Sequence, residues 1–203
     1  KYEFLVGMRY ENAFRALKDS QNEEPFLLKL SNLFPSLTVR HDWNETMQLK
    51  LAYSRRVQRS TNNELNPYPE REHSETLEQG DPTVLPEFVN QLEGGFIKTW
   101  KDNSLFVTAY HTRIKNLVNR VNTVYNDTIL NRIYSNVGTG QSLGIEVGSE
   151  VFFTHKWKAY LGGNAYRYSI EGEFDNRPVN QSAWVYSVNF NTSVAISSTL
   201  STQ

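Results

Sequence analysis

The sequence predicts an all-β chain whose antiparallel strands run up and down between two boundaries of apolar and aqueous surroundings. Three observations predict it. Residues alternate apolar and polar over long stretches, and helical periodicity is sustained nowhere. Connections alternate between long and short along the chain. Aromatic residues gather at both ends of the strands. Together they describe about eight strands of an antiparallel up-and-down transmembrane β-barrel.

The alternation is clearest between Ser31 and Arg59. Met47, Leu49, Leu51 and Tyr53 point one way, and Gln48, Lys50, Ala52, Ser54 and Arg56 the other. The preceding strand sets Leu33, Pro35, Leu37 and Val39 against Phe34, Ser36, Thr38 and Arg40, with Trp43 just before a tight turn at Asn44-Glu45. The first strand of the chain runs from about Tyr2 to Phe14, with the row Tyr2, Phe4, Val6, Met8 and Tyr10 opposite Glu3, Gly7, Arg9 and Glu11. A polar loop from Arg15 to Glu24 follows it. After the third strand, Thr46–Gln58, comes a long polar segment from Arg59 to Pro86. Its Pro67, Pro69, Gly80, Pro82 and Pro86 forbid a regular strand.

The fourth strand, Glu87–Trp100, sets Phe88, Leu92 and Phe96 against Gln91, Glu93 and Gly95. A compact turn at Lys101-Asp102-Asn103 leads to a fifth strand, Ser104 to Val118, whose two faces alternate too loosely to assign. Asn119–Val137 reads as a second long irregular stretch, with room for a strand extension. In the sixth strand Leu143, Ile145, Val147, Val151 and Phe153 oppose Gly144, Glu146, Gly148 and Glu150. Trp157–Ile170 is again mixed, and a loop is expected near Glu171–Ser182. The eighth strand carries Trp184, Tyr186, Val188, Phe190, Val194 and Ile196 opposite Ser187, Asn189, Asn191, Ser193 and Ser197.

The short connections follow Trp43, Trp100 and Phe153, and the long ones lie at the other strand ends. Membrane barrels sort their loops this way, with short periplasmic turns and long extracellular loops. Tyr2, Trp43, Trp100, Phe153 and Trp157 sit at the short-turn ends, and Tyr10, Phe14, Tyr53, Phe88, Trp184 and Tyr186 nearer the long loops, as two interfacial girdles would. Strand lengths reach the roughly 9–11 residues a tilted span needs, beyond the roughly 5–6 common in globular sheets. Lys50, Arg56, Gln91, Glu93, Glu146 and Glu150 fall on the lumen-facing side, where water solvates charges that a dry core would have to pair. Lipocalin-like barrels and β-sandwiches share the alternation, but sort no loops by parity and need a dry interior.

The net charge of −1 leaves no basic field for nucleic acid, which is excluded as a main partner. No apolar run of about 18 residues forms a transmembrane helix. The mean hydropathy of −0.56 is no bar to a barrel, since its strands are apolar at alternate positions only. There are no cysteines, hence no disulfide or thiolate metal site.

At this point NLFPSLTV (Asn32–Val39), LAYSRRVQR (Leu51–Arg59), LNPY (Leu65–Tyr68) and EQGDPTVLPEFVNQLEGGF (Glu78–Phe96) resemble segments of the outer-membrane β-barrel family of TonB-dependent receptor-like proteins of Bacteroidetes type. Weaker matches are VGMRYE (Val6–Glu11), SNVGTGQSLGIEV (Ser135–Val147) and the Trp184–Phe190 strand. The resemblance covers nearly the whole chain in order. It departs at Ser60-Thr61, where the family usually carries proline, and in the acidic stretch Glu70–Glu78. It implies a receptor of about 22 strands in full, so that this segment is about eight strands of a larger barrel. Residues 1–203 are then a partial barrel domain from its C-terminal half, with plug domain and terminal strands absent.

The implied function is binding or uptake of an extracellular solute at the bacterial outer membrane, with membrane lipid, a small solute, siderophore or glycan as partners. TonB would engage only through the absent plug region. A non-transporting adhesion or structural barrel module is the alternative. Within Arg59–Pro86, the residues Arg59, Asn66, Tyr68, Glu72, His73 and Glu75 are the candidate ligand contacts, because long outward loops carry recognition. Seven acids between Glu64 and Glu87 against Arg71 alone make a cation site conceivable, but a solvated acidic loop is the plainer reading. Glu146 and Glu150 stand roughly 14 Å apart at strand rise, too far for a paired-carboxylate hydrolase. The four histidines are scattered. No catalytic residue, metal site or cofactor is expected.

Overall fold

The computed structural model describes residues 1–18, 25–73, 75–126, 129–195 and 201–202. In chain order the elements are β1 (Tyr2–Leu17), β2 (Phe26–Asn44), β3 (Met47–Gln58), the helical turn α1 (Asn62–Leu65), β4 (Glu70–His73), β5 (Thr76–Gln79), β6 (Glu87–Trp100), β7 (Asn103–Asn126), β8 (Ile129–Thr154), β9 (Trp157–Phe174), β10 (Arg177–Ala195) and β11 (Ser201–Thr202). The sheet runs β1-β2-β3-β6-β7-β8-β9-β10-β11, with every neighbouring pair on this path antiparallel. Strands adjacent in the path are consecutive in sequence once β4 and β5 are set aside, which is an up-and-down meander. Ile196 and Ser197, expected at the end of the eighth strand, lie outside the described residues, as does most of the Arg15–Glu24 loop.

Register carries the alternation of single strands into whole rows. One row reads Phe4, Val39, Leu51, Gly94, Ala109, Ile145, Ala165, Tyr186. The row beside it reads Tyr2, His41, Leu49, Phe96, Val107, Val147, Gly163, Val188. One face of the sheet, the outward face, is therefore an apolar band eight strands wide, interrupted in these rows by His41 alone. It is uncovered: Val6, Met8 and Val188 are each more than 70% exposed.

Pairing also settles the two strands whose faces the sequence leaves mixed. Leu105, Val107 and Ala109 of β7, and Leu161 and Ala165 of β9, belong to the outward band. Phe106, Tyr110, Tyr160, Tyr166 and Tyr168 take the opposite face. Glycines make room for these rings. A Cβ on Gly148 would lie 2.4 Å from the Phe106 ring, and one on Gly144 2.8 Å from that of Tyr110. The bulk of the inward aromatics is offset on neighbouring strands, so their alternation looks weak in one dimension.

Two expected loops prove to be strand. Asn119–Val137 continues β7 and β8 as a two-stranded arm, paired from Val118↔Asn136 to Asn126↔Ile129. Glu171–Ser182 is a hairpin closed by Asp175-Asn176, whose φ angles of 50° and 56° fit the left-handed turn that two-residue hairpins prefer. The arm stands free of β9, because β8 pairs with β9 only from Thr139↔Glu171 onward. Outside a membrane a ribbon needs no apolar face, so β-branched content rather than alternation marks it: Val118, Val121, Thr123, Val124, Ile129, Ile133 and Val137. Gly138, at φ 128°, lies in β8 at this branch.

Buried apolar side chains are few, and they sit at the loop end of the sheet. Leu117, Val137 and Ile170 form one cluster, with Ile114, Val121, Tyr168, Phe174 and Val179 packed against it. Leu65, Val84 and Val89 are buried where the Arg59–Pro86 segment docks.

Candidate functional site

The Arg59–Pro86 segment, expected as a solvated acidic loop, is a folded cap. Thr61 and Glu64 close a capping box on α1: Oγ1 of Thr61 accepts from the Glu64 amide at 3.4 Å, and Glu64 Oε2 accepts from the Thr61 amide at 2.7 Å. Gly80 folds back onto this turn, donating to the Asn66 carbonyl at 2.7 Å. No side chain fits there, since a Cβ would come within 2.4 Å of the Asn63 carbonyl oxygen. Asp81 then accepts from the amide and hydroxyl of Thr83, at 2.7 and 2.6 Å, and turns the chain toward buried Val84.

The sheet holds this cap from three sides. Arg15 of β1 donates to the Pro82 and Val84 carbonyls at 3.1 and 2.8 Å. Burial lowers the pKa of Arg15 and the charge of Asp81 partly restores it. Asn136 of β8 clasps Leu85, accepting from its amide at 2.8 Å and donating to its carbonyl at 3.0 Å. Asn116, bulged out of β7 at φ 56°, donates to the Pro86 carbonyl at 3.2 Å. Glu87 accepts from the Val118 amide at 2.7 Å while 7% exposed. Burial raises its pKa, the Val118 hydrogen bond opposes the rise, and Glu64 adds to it. Arg15, Glu87 and Val89 all belong to the inward face, so the cap lies over that face at the loop end.

The β4–β5 hairpin extends the cap along the arm. β5 pairs in parallel with Leu130–Ile133 of β8. Arg132 meets Glu72 at 2.6 Å, Arg120 meets Glu78 at 3.4 Å, and the Tyr134 hydroxyl donates to Glu78 at 2.5 Å. That hydrogen bond, foremost, holds the Tyr134 phenol above its ordinary pKa. Glu72 and Glu78 of the segment are thus answered by the arm's arginines, far away in sequence. Among the described residues no three histidine or acidic groups converge as a metal site.

A cavity of about 150 Å³ opens between cap and hairpin, lined by Asn63, Asn66, Tyr68, Glu70, Arg71, Glu72, Glu78 and Gly80. Of the candidate contacts, Asn66, Tyr68 and Glu72 line it. Arg59 instead pairs with Glu11 of β1. His73 pairs with Thr76 across the hairpin, and the Glu75 carbonyl accepts from the Leu130 amide at 3.0 Å. Glu70, Arg71 and Glu78 were not among the expected contacts. Only the fold-back at Gly80 brings Glu78 beside Asn66, and no spacing in the sequence signals it.

Lys50, Arg56, Gln91, Glu93, Glu146 and Glu150 share the inward face, opposite the apolar band. Gln91 donates to Glu93 at 2.5 Å, Lys50 stands 3.9 Å from Glu93, and Lys158 3.2 Å from Glu150. The face is polar and partly paired, with glycines and tyrosines between the charges.

An uncovered apolar band, a polar opposite face and a capped loop end make a membrane-facing wall with a folded cap at one rim. The solved structures agree on the fold. The siderophore receptor PirA from Pseudomonas aeruginosa matches over 97% of this chain and 42% of its own, with TM-score 0.60 and 13% identity. The copper transporter OprC matches over 97% and 38%, with TM-score 0.62 and 11% identity. The hemophore receptor HasR of Serratia marcescens, solved with its hemophore HasA and heme, matches over 97% and 42%, with TM-score 0.58 and 13% identity. The chain therefore spans less than half the length of each of these three. No curated protein matches it. The outer membrane protein beta-barrel family matches residues 1–203 from end to end, and the chain belongs to that family, in the bacterial outer membrane.

Proposed function

We propose that the chain is part of the barrel wall of a TonB-dependent receptor that binds or takes up an extracellular solute. The observation that carries this reading is the cap: 28 residues between Gln58 and Glu87, held by side chains of β1, β7 and β8 as a shaped surface at the rim of the wall. A wall with only a structural role needs no such surface. The recognition surface is Asn66, Tyr68 and Glu72 with Glu70, Arg71 and Glu78 around the cavity, and His73 and Glu75 on the adjoining hairpin. The lumen lies along Lys50, Arg56, Gln91, Glu93, Glu146 and Glu150. The fold it shares with a siderophore receptor and a copper transporter supports this reading.

Whole-cell accumulation tests it. Cells with and without the gene are offered labelled ferric siderophores, oligosaccharides and copper. Loss of one uptake activity, restored by the wild-type gene and abolished without TonB, is the expected result. Unchanged uptake of the whole panel, with altered adhesion or envelope integrity instead, would favour a structural barrel module.

A further inference from the structure

We infer that the outward face of β7 and β9, just above the apolar band, is a binding site for a phosphorylated glycolipid headgroup of the outer leaflet. On β7 the outward row is Leu105, Val107 and Ala109, then His111, Arg113 and Lys115. On β9 it is Leu161, Gly163 and Ala165, then Arg167. Apolar side chains give way to basic ones on two strands separated only by β8, with Arg167 level with His111 and Arg113 one same-face step higher. Leu143 of β8 joins His111 and Arg167 in a single cross-strand row that ends at Trp184. With strands about 4.8 Å apart and same-face neighbours about 6.7 Å apart, Arg113, Lys115 and Arg167 fall within one headgroup's reach.

Three further facts favour this occupant. Arg113, Lys115 and Arg167 are exposed, and among the described residues none has an ion pair. Glu171 and Glu173, higher on β9, are the acids on the same side of that strand, and Glu171 lies level with Lys115, two strand spacings away across Thr139. A groove of about 430 Å³ opens above Arg167, lined on this face by Ser169, Glu171, Asn180 and Ser182, with Ile170 and Gln181 between them. Cations suit phosphate, hydroxyls and amides suit sugar, and the apolar band below continues as a bed for acyl chains. The patch lies on the opposite face from the cap, so it is independent of solute recognition. Arg55 is not part of it: its guanidinium is occupied over the Phe88 ring at 5.3 Å.

The intact protein, purified in zwitterionic detergent, is titrated with a bis-phosphorylated disaccharide lipid, and bound lipid is counted by native mass spectrometry. The dephosphorylated lipid and inorganic phosphate are the comparison ligands. The phosphorylated lipid binds tightest, and replacing Arg113, Lys115 and Arg167 by glutamine weakens it by about fivefold per cation removed. The inward variant Arg56→Gln leaves binding unchanged. Arg113→Lys with Arg167→Lys retains most of it, which separates lost charge from lost fold. Equal binding by the triple variant, equal binding of the dephosphorylated lipid, or displacement by equimolar inorganic phosphate would each overturn the site.

Discussion

Glu87 shows how one carboxylate ties the cap to the arm and what that costs. Its Oε1 satisfies the Val118 amide, yet burial raises its pKa above the ordinary 4.5. A raised value in the docked state means that this state binds the proton more readily. Docking is therefore favoured at low pH and weakens as pH rises from the ordinary value through the raised one. Glu87→Gln keeps an acceptor for Val118 and removes the charge, so protease cleavage within residues 59–86 should lose that pH dependence without becoming faster. Glu87→Ala strands a buried amide at a cost of about 1–3 kcal/mol and should speed cleavage at every pH. Gly172 is the second sensitive position. A Cβ there would come within 1.8 Å of the Val137 carbonyl oxygen, so Gly172→Ala must push β8 and β9 apart where the arm leaves the sheet. A loss of about 1–3 kcal/mol is expected, read as faster hydrogen exchange at Val137 and its neighbours.

At the scale of elements, the cap and the arm depend on each other unequally. The Arg132–Glu72 pair is about one-third exposed on both sides, so Arg132→Ala should cost about 0–1 kcal/mol. Arg15 serves two carbonyls beside buried Val84, and Arg15→Ala should cost more, about 1–3 kcal/mol, with cleavage of the cap rising tenfold or more. Comparing the two variants by limited proteolysis checks the ranking. These elements were the least legible in the sequence. Prolines and charge between Arg59 and Pro86 do forbid a long strand, and none forms. What they conceal is the partner set, because Arg15, Asn116 and Asn136 lie far from the cap in sequence. The arm is legible only as room for a strand extension, for a different reason. Its β-branched residues favour strand, but beyond the apolar band no lipid face enforces alternation.

Across the whole molecule the membrane-spanning strands were legible because lipid imposes the strictest rule. Every outward residue from Phe4 to Tyr10, and from Met47 to Tyr53, must be apolar, and each strand declares this alone. Strands β7 and β9 were obscured by inward aromatics set over glycines, which only the register exposes. So much uncovered apolar surface should keep the protein dispersed in detergent and aggregated in plain buffer, as light scattering would show. The most direct test of the band uses the absence of cysteine in this sequence. Single cysteines placed along Leu143–Phe153 of β8, in lipid bilayers, are spin-labelled and compared for access to oxygen and to a water-soluble nickel chelate. The account predicts strict two-residue alternation, with Leu143, Ile145 and Val147 open to oxygen and closed to nickel, and Gly144, Glu146 and Gly148 the reverse. Equal nickel access on both faces would contradict it.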